Sequence, residues 1–419
     1  MHILKGYTKQ EISWMMYDWA NSAHSVIIVT LLPIFFDTVA GYTADSVSSM
    51  STWGYATSIA MLIVALAAPF LGVFGDIRGM RKKLFSFFML LGVAACAGMA
   101  FTPGMDFTSG PVAAGKVASL ILVLYIVSVI GFDASAIYYD AFLTDVTIED
   151  RMDKVSTMGY GLGYIGGSTI PLLIFLIMNL VGVPMLTCLA FVFGLTAVWW
   201  LAFSLPLLKN CEQTSGKPYE KGDVARSIKG VGTTIKEIIA NKPMLIYILS
   251  YFFYIDGVHT VISMATTYGT NLGLDSTGMM LALLLVQILG LPFCLLYIKC
   301  SEKFGARTMV GFGICVYMFI CIFAFFMNSL WQFWVLAVLC ATSQGGIQAL
   351  SRSMYGKLIP DKDRSGEFFG FFDIFGKFSS IMGPALVGVV SSVVANGMLG
   401  AKGLTAQTAT AEQIDAINA

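Results

Sequence analysis

Long apolar runs alternate with short polar turns along this chain, and the runs have the length that crosses a bilayer as a helix, about 20 residues. Eleven such runs occur, at about 14–36, 53–75, 84–102, 117–140, 157–180, 184–206, 244–268, 276–298, 308–328, 330–350 and 367–394. Each is predicted to be a transmembrane helix, because a helix satisfies its own backbone groups where water is absent. Ionisable and polar residues interrupt the runs on every third one. The first carries Asp18 and His24, the fourth Asp133 and Asp140, and the seventh Asp256 and His259; the tenth ends in Gln348 and Arg352. Runs two, three, five, six, eight and nine have no charge in their interiors. A charge at the bilayer centre costs roughly 2.5–3.5 kcal/mol even on a lenient scale, so it normally faces a cavity or a partner. Spans one, four, seven and ten are therefore predicted to line a shared polar interior.

Composition agrees. Of 419 residues, 57% are hydrophobic and 12% charged, against about 25% charged in soluble proteins. The formal net charge of +0 gives no electrostatic case for nucleic-acid binding. The eight cysteines are scattered, form no CxxC pair and mostly lie inside apolar runs, where a thiol acts as a small hydrophobe. Neither a metal site, a cofactor nor a disulfide is expected. Residues Met1 to Glu11 are polar and unlike a signal-peptide core, so the first span is expected to stay as an anchor.

Basic residues set the orientation. With the N-terminus in the cytoplasm, all of the 25 Lys and Arg residues except Lys116, Lys377 and Lys402 fall on cytoplasmic segments. The loop from 207 to 243 is the long interior linker. It divides the chain into a six-helix bundle at 1–206 and a five-span bundle at 244–395, with a polar tail at 396–419. Within the linker, Val224–Ala240 reads either as an amphipathic helix on the inner surface or as a solvated connector.

A repeat relates the halves. Gly72-x3-Asp76-x2-Gly79-x-Arg81-Lys82-Lys83 follows the second span, and Tyr297-x4-Glu302-x2-Gly305-x-Arg307 follows the eighth, with acid, glycine and arginine recurring at an offset of 226. The glycines permit a tight reversal with positive φ. The acids can accept bonds from a neighbouring helix N-terminus, and the arginines can pair with a carboxylate. The alternative is a plain basic turn. Repeated halves with a substrate site between them are a common transporter plan.

These residues resemble the signature loop of the major facilitator superfamily, although Ile77 stands where a basic residue is common, with Arg78 next. The resemblance implies a two-bundle, all-α membrane fold with helices one, four, seven and ten around a central cavity. It also implies that Asp76, Gly79, Arg81, Lys82, Glu302, Gly305 and Arg307 form a cytoplasmic gate, with helix two docking on helix eleven.

Asp18, Asn21, Ser22 and Ser25 share one helix face; their alternative is an interfacial position. Asp256 and His259, one turn apart beside Tyr254, are candidates to take up and release a proton, or else a static polar cluster; histidine ordinarily titrates nearest neutral pH. Asp133 is the deeper acid of span four. Asp140 is read as a structural ion pair with Arg151 or Arg352, and Gln348 offers an amide near the path. Asp373 and Lys377 stand at i, i+4 and are read as neutralising each other or pairing with a neighbouring helix. Gly159, Gly163 and Gly167 have small-xxx-small spacing, which speaks of packing.

The run Tyr17-Asp18-Trp19-Ala20-Asn21-Ser22-Ala23 narrows the resemblance, as do Tyr254-x-Asp256-Gly257-Val258, Gly345 through Ser353 and Glu367 through Lys377. Together they are similar to the vacuole effluxer family linked to autophagy in fungi, which has many bacterial relatives. The fungal members are associated with amino-acid export, which the resemblance implies here. The family pattern has twelve spans. Beyond about residue 395 no apolar stretch of spanning length follows, so either the C-terminus lies outside or a peripheral twelfth helix is lost.

The expected protein is a monomeric secondary transporter of a bacterial plasma membrane. It moves a small polar solute by alternating access, with protons as the expected driver, since no Walker loop points to ATP. An uncoupled facilitator and a non-transporting receptor or scaffold are the alternatives. An intramembrane enzyme would need a convergent nucleophile or metal cluster that the motifs do not supply.

Overall fold

The computed structural model describes residues 4–43, 49–218 and 223–401. The long helices are α1 (Lys9–Ala40), α2 (Ser49–Gly75), α3 (Arg81–Met99) and α4 (Pro111–Val146). Next comes α5, which starts as Met152–Gly163, widens into a π-turn segment Tyr164–Thr169 and ends as Ile170–Leu180. Then follow α6 (Met185–Asn210), a linker helix (Asp223–Ala240), α7 (Lys242–Asn271) and α8 (Ser276–Phe304). The last three are α9 (Ala306–Phe325), α10 (Leu330–Leu358) and α11 (Ser365–Ala401). Ten helices are long and apolar enough to cross a membrane among the described residues; α11 is the further long helix on which the eleventh apolar run falls. It continues to Ala401, past the point where the polar tail was expected to begin, and residues 402–419 lie outside the described residues.

Local chemistry fixes the helix starts. Thr8 and Glu11 form a capping box at α1, and Ser329 and Gln332 another at α10. Asn241 and Asp275 cap α7 and α8. Pro111 opens α4, where its missing N–H is no loss. Several helices outrun their apolar runs, α4 as Pro111–Val146 and α10 as Leu330–Leu358; the face that carries the start of α1, the two signature turns and the linker is here the basic face.

Buried apolar residues fall into two clusters, one built mainly from α1–α6 and one from α7–α11 with the linker helix. In the first, α1 packs on α4, α5 and α6, and α3 on α4 and α6. In the second, α10 packs on α8 and α9, and α7 on α11. The clusters meet where α2 and α4 pack on α11, and where α5 packs on α8 and α10. Large apolar side chains such as Leu66, Phe87, Val198, Phe253, Met318 and Phe325 point outward. Soluble proteins avoid apolar patches of that extent, but a lipid-facing belt requires them.

Glycines set the closest approaches. A Cβ on Gly72 of α2 would sit 2.2 Å from the Gly366 carbonyl oxygen of α11. On α5, Gly159 lies against the Asp18 carboxylate and Gly163 against Ser22, while Gly166 and Gly167 both lie against Trp19. The π-turn brings Gly166 to the face that the four-residue spacing gives only to Gly159, Gly163 and Gly167.

Candidate functional site

A cavity of about 370 Å³ lies between the two clusters. From α1 come Asp18, Asn21, Ser22 and Ser25; from α4, Phe132, Asp133, Ala136, Tyr139 and Asp140. Across from them, α7 presents Tyr251, Ile255 and His259, and α10 presents Gln348 and Arg352. Two helices outside the every-third pattern also contribute. Tyr160 comes from α5, and Phe372, Asp373, Gly376, Lys377 and Ser380 come from α11.

Arg352 ties the halves together. Its Nη1 donates to Asp140 Oδ1 at 3.1 Å and its Nη2 to Asp18 Oδ2 at 3.2 Å. Its Nε donates to Ser156 Oγ at 2.9 Å. The guanidinium also lies over the rings of Trp14, Tyr139 and Tyr160 at 4.7, 5.2 and 4.6 Å. Arginine suits such a place because its planar cation forks to carboxylates and stacks on aromatic faces. Nearby, Lys357 and Ser353 of α10 both bond Asp153 at the start of α5, at 2.7 Å each.

Lys377 makes a further ionic bridge between the halves. Its Nζ bonds Asp133 of α4 closely and also lies 3.8 Å from Asp373 on its own helix. The sequence offers Asp373 as the local partner at i, i+4; the shorter contact is to an acid 244 positions away.

Three of the candidate path residues lie off the cavity lining. His24 is buried inside the first cluster, where Nε2 meets Ser128 Oγ at 3.2 Å and the ring stacks on Phe132. Tyr254 bonds Ser351 Oγ at 2.6 Å. Asp256 turns toward α11 at Gly383, while His259, three residues on, meets Ser379 and Ser380 at 3.2 and 2.8 Å. The two are thus held by different neighbours.

On the basic face the turn after α2 is buried against α11. Asp76 accepts from the backbone N–H of Gly366 at 2.7 Å and of Glu367 at 2.8 Å, at the N-terminal end of that helix. Arg81, fully buried, donates to Asp76 at 2.9 Å, to Asp145, and to Ser365 Oγ at 2.8 Å. Burial pushes the Asp76 carboxyl up to about 7, against the pull of Arg81 and the two amides. Gly79 takes φ +81°, and Gln213 from the linker accepts its N–H at 2.8 Å. The linker helix joins the same junction. Arg364 bonds Glu237 at 2.6 Å and Glu367 at 3.0 Å, and Thr234 bonds Glu367.

The second signature turn differs. Gly305 takes φ +83°, matching Gly79, but Glu302 is largely exposed and lies 4.0 Å from Lys154 at the start of α5. On the face opposite the basic one, α1 and α7 share no extended contact among the described residues. Among those residues there is also no cluster of three or more side chains suited to a metal ion.

Comparison with known proteins agrees with this arrangement. The family described as vacuole effluxer Atg22 like matches residues 39–147 and 144–397. An uncharacterized MFS-type transporter of Bacillus subtilis (strain 168), YxiO, is 43% identical over 399 residues, covering 93% of this chain and 90% of that protein. Autophagy-related protein 22-1 of Penicillium rubens is 25% identical over 59% of this chain, which spans 46% of the fungal protein's length. Among solved structures, the proton:xylose symporter XylE superposes with a TM-score of 0.66 at 13% identity, covering 98% of this chain and 93% of that one. A bacterial homologue of ferroportin in an outward-facing state gives 0.63 at 16% identity, covering 98% and 94%. With its helical two-cluster architecture and a family match spanning most of its length, the chain belongs to the Atg22-like vacuole effluxer family and is a membrane transporter of the major facilitator fold.

Proposed function

We propose that this protein is a proton-coupled secondary transporter that exports a small polar solute, with amino acids as the solute class, by alternating access. The observation that carries the reading is one cavity between the halves, lined by acids and bases from both and tied shut on the basic face. Asp18, Asp133, Asp140, Arg352, Asp373 and Lys377 all line it. Charges in a bilayer are costly, and in transporters they mark substrate and proton pathways. Arg352 and Lys377 bridge helices of opposite halves, so exchanging a carboxylate partner for a proton or solute loosens the contact that keeps the basic face closed. In this reading the basic face is cytoplasmic, the membrane is a bacterial plasma membrane, the protein works as a monomer, and the conformation is open away from the cytoplasm.

Proteoliposomes loaded with labelled amino acids test it. Label should leave faster under a proton gradient, and Asp133→Asn should remove the gradient dependence. Efflux indifferent to pH in both proteins rejects coupling and leaves a facilitator. No efflux of any solute rejects transport.

A further inference from the structure

We infer that the cavity receives the ammonium group of an organic solute carrying net positive charge, held between Asp133 and Asp373 where Lys377 now sits. The inference rests on the transporter reading and names the solute class. Asp133 is only 2% exposed and lines the cavity. Lys377 engages its Oδ1, while Oδ2 is buried with no hydrogen-bond partner among the described residues. Asp373 repeats the arrangement, with Oδ1 toward Lys377 and Oδ2 buried and unpartnered. A buried acceptor without a donor is costly, and an ammonium brings three donors. The Lys377 headgroup already occupies this position, so the site demonstrably accommodates a primary ammonium.

Charge selects the solute further. Four carboxylates line the cavity, at Asp18, Asp133, Asp140 and Asp373, against two cations, Arg352 and Lys377. Arg352 is spoken for. Asp18 and Asp140 take its guanidinium, and three rings cover it. Among the described residues no cation is therefore free for a solute carboxylate in this state, whereas the acids call for positive charge. Tyr251 and Phe372 add aromatic surface to the lining, and cations favour ring faces. An arriving ammonium displaces Lys377 from Asp133 and so releases the bridge between α4 and α11. Lys377 thus acts as a tethered competitor that holds the halves together until the solute replaces it.

Thermal unfolding of the full-length protein in detergent tests this, with ethylammonium chloride as probe and sodium chloride and sodium propionate at equal ionic strength as controls. Ethylammonium should raise the unfolding midpoint of wild type. In Lys377→Met, half the effect should come at a concentration at least tenfold lower. Lys377→Arg should respond as wild type, and Asp133→Asn should not respond. An equal response to sodium chloride, a larger one to propionate, or no difference between Lys377→Met and wild type overturns the inference. If Lys377→Met does not fold, the comparison of wild type with Asp133→Asn decides alone, and a response retained in Asp133→Asn overturns it. Liposome flux of neutral or anionic solutes without any ethylammonium response sinks this site and leaves the transporter reading standing. Ethylammonium binding without flux of any solute does the reverse.

Discussion

Arg352 shows how one side chain can hold two halves of a molecule. It is 3% exposed and shares its charge between Asp18 and Asp140, which α1 and α4 supply from the other half. Removing one partner of a buried ion pair typically costs about 3–5 kcal/mol, because the remaining charge is stranded. Arg352→Gln is therefore expected to open the basic face and to cut solute efflux more than tenfold. Arg352→Lys should fail to restore it, since a point charge can neither fork nor stack as the guanidinium does. Initial rates in proteoliposomes check both. Asp76 gives a pH prediction. Its carboxyl sits near 7 when buried against α11 and would return to about 3.9 when exposed, so closing the junction takes up a proton. The closed state is then fully favoured below about pH 4 and loses that support as pH rises through about 7. Arg81 facing both Asp76 and Asp145, with Glu367 close by, leaves excess negative charge there, in line with this sign. Spin labels at Lys82→Cys and Lys362→Cys, with the exposed native cysteines replaced, should separate as pH rises from 6 to 8. The change should vanish in Asp76→Asn.

Between α2 and α11 the backbones touch. Gly72→Val is expected to hold the junction apart, because even a Cβ would lie 2.2 Å from a carbonyl oxygen. A cysteine placed at Ser25 in the cavity should then become reactive to an impermeant thiol reagent from the basic face, with the protein still folded. At this scale the sequence was a good guide. Apolar length gave the helices because burial in lipid leaves the backbone no other choice, and the repeated glycine fixed both reversals. What it could not give was azimuth. Depth in the membrane follows from position in a run, but the direction in which a side chain points depends on packing partners. Asp256 and His259 are three residues apart, yet only His259 reaches the cavity, because contact with α11 at Gly383 takes Asp256 elsewhere. For the same reason the cavity residues of α11 were half legible. The charges of Asp373 and Lys377 stood out inside an apolar run, but their nearest partner across the molecule, Asp133, is not written in local spacing. The π-turn in α5 left no periodic signal, and it decides which glycines meet Trp19.

Across the whole molecule, the two halves meet at junctions of unequal strength. The turn after α2 is buried, with its acid on two amides and its arginine on five oxygen-bearing residues. Its counterpart after α8 places Glu302 in the open, 4.0 Å from Lys154. The linker helix reinforces the first junction through Arg364, Glu237 and Thr234. Exposed ion pairs contribute only about 0–1 kcal/mol, whereas charge-assisted buried bonds are each worth about 1.5–3 kcal/mol. The two signature turns therefore tie the halves with unequal firmness. A saturation library scored for growth-coupled export should therefore be nearly barren at positions 76, 79 and 81, while position 302 accepts most amino acids and position 305 mainly glycine.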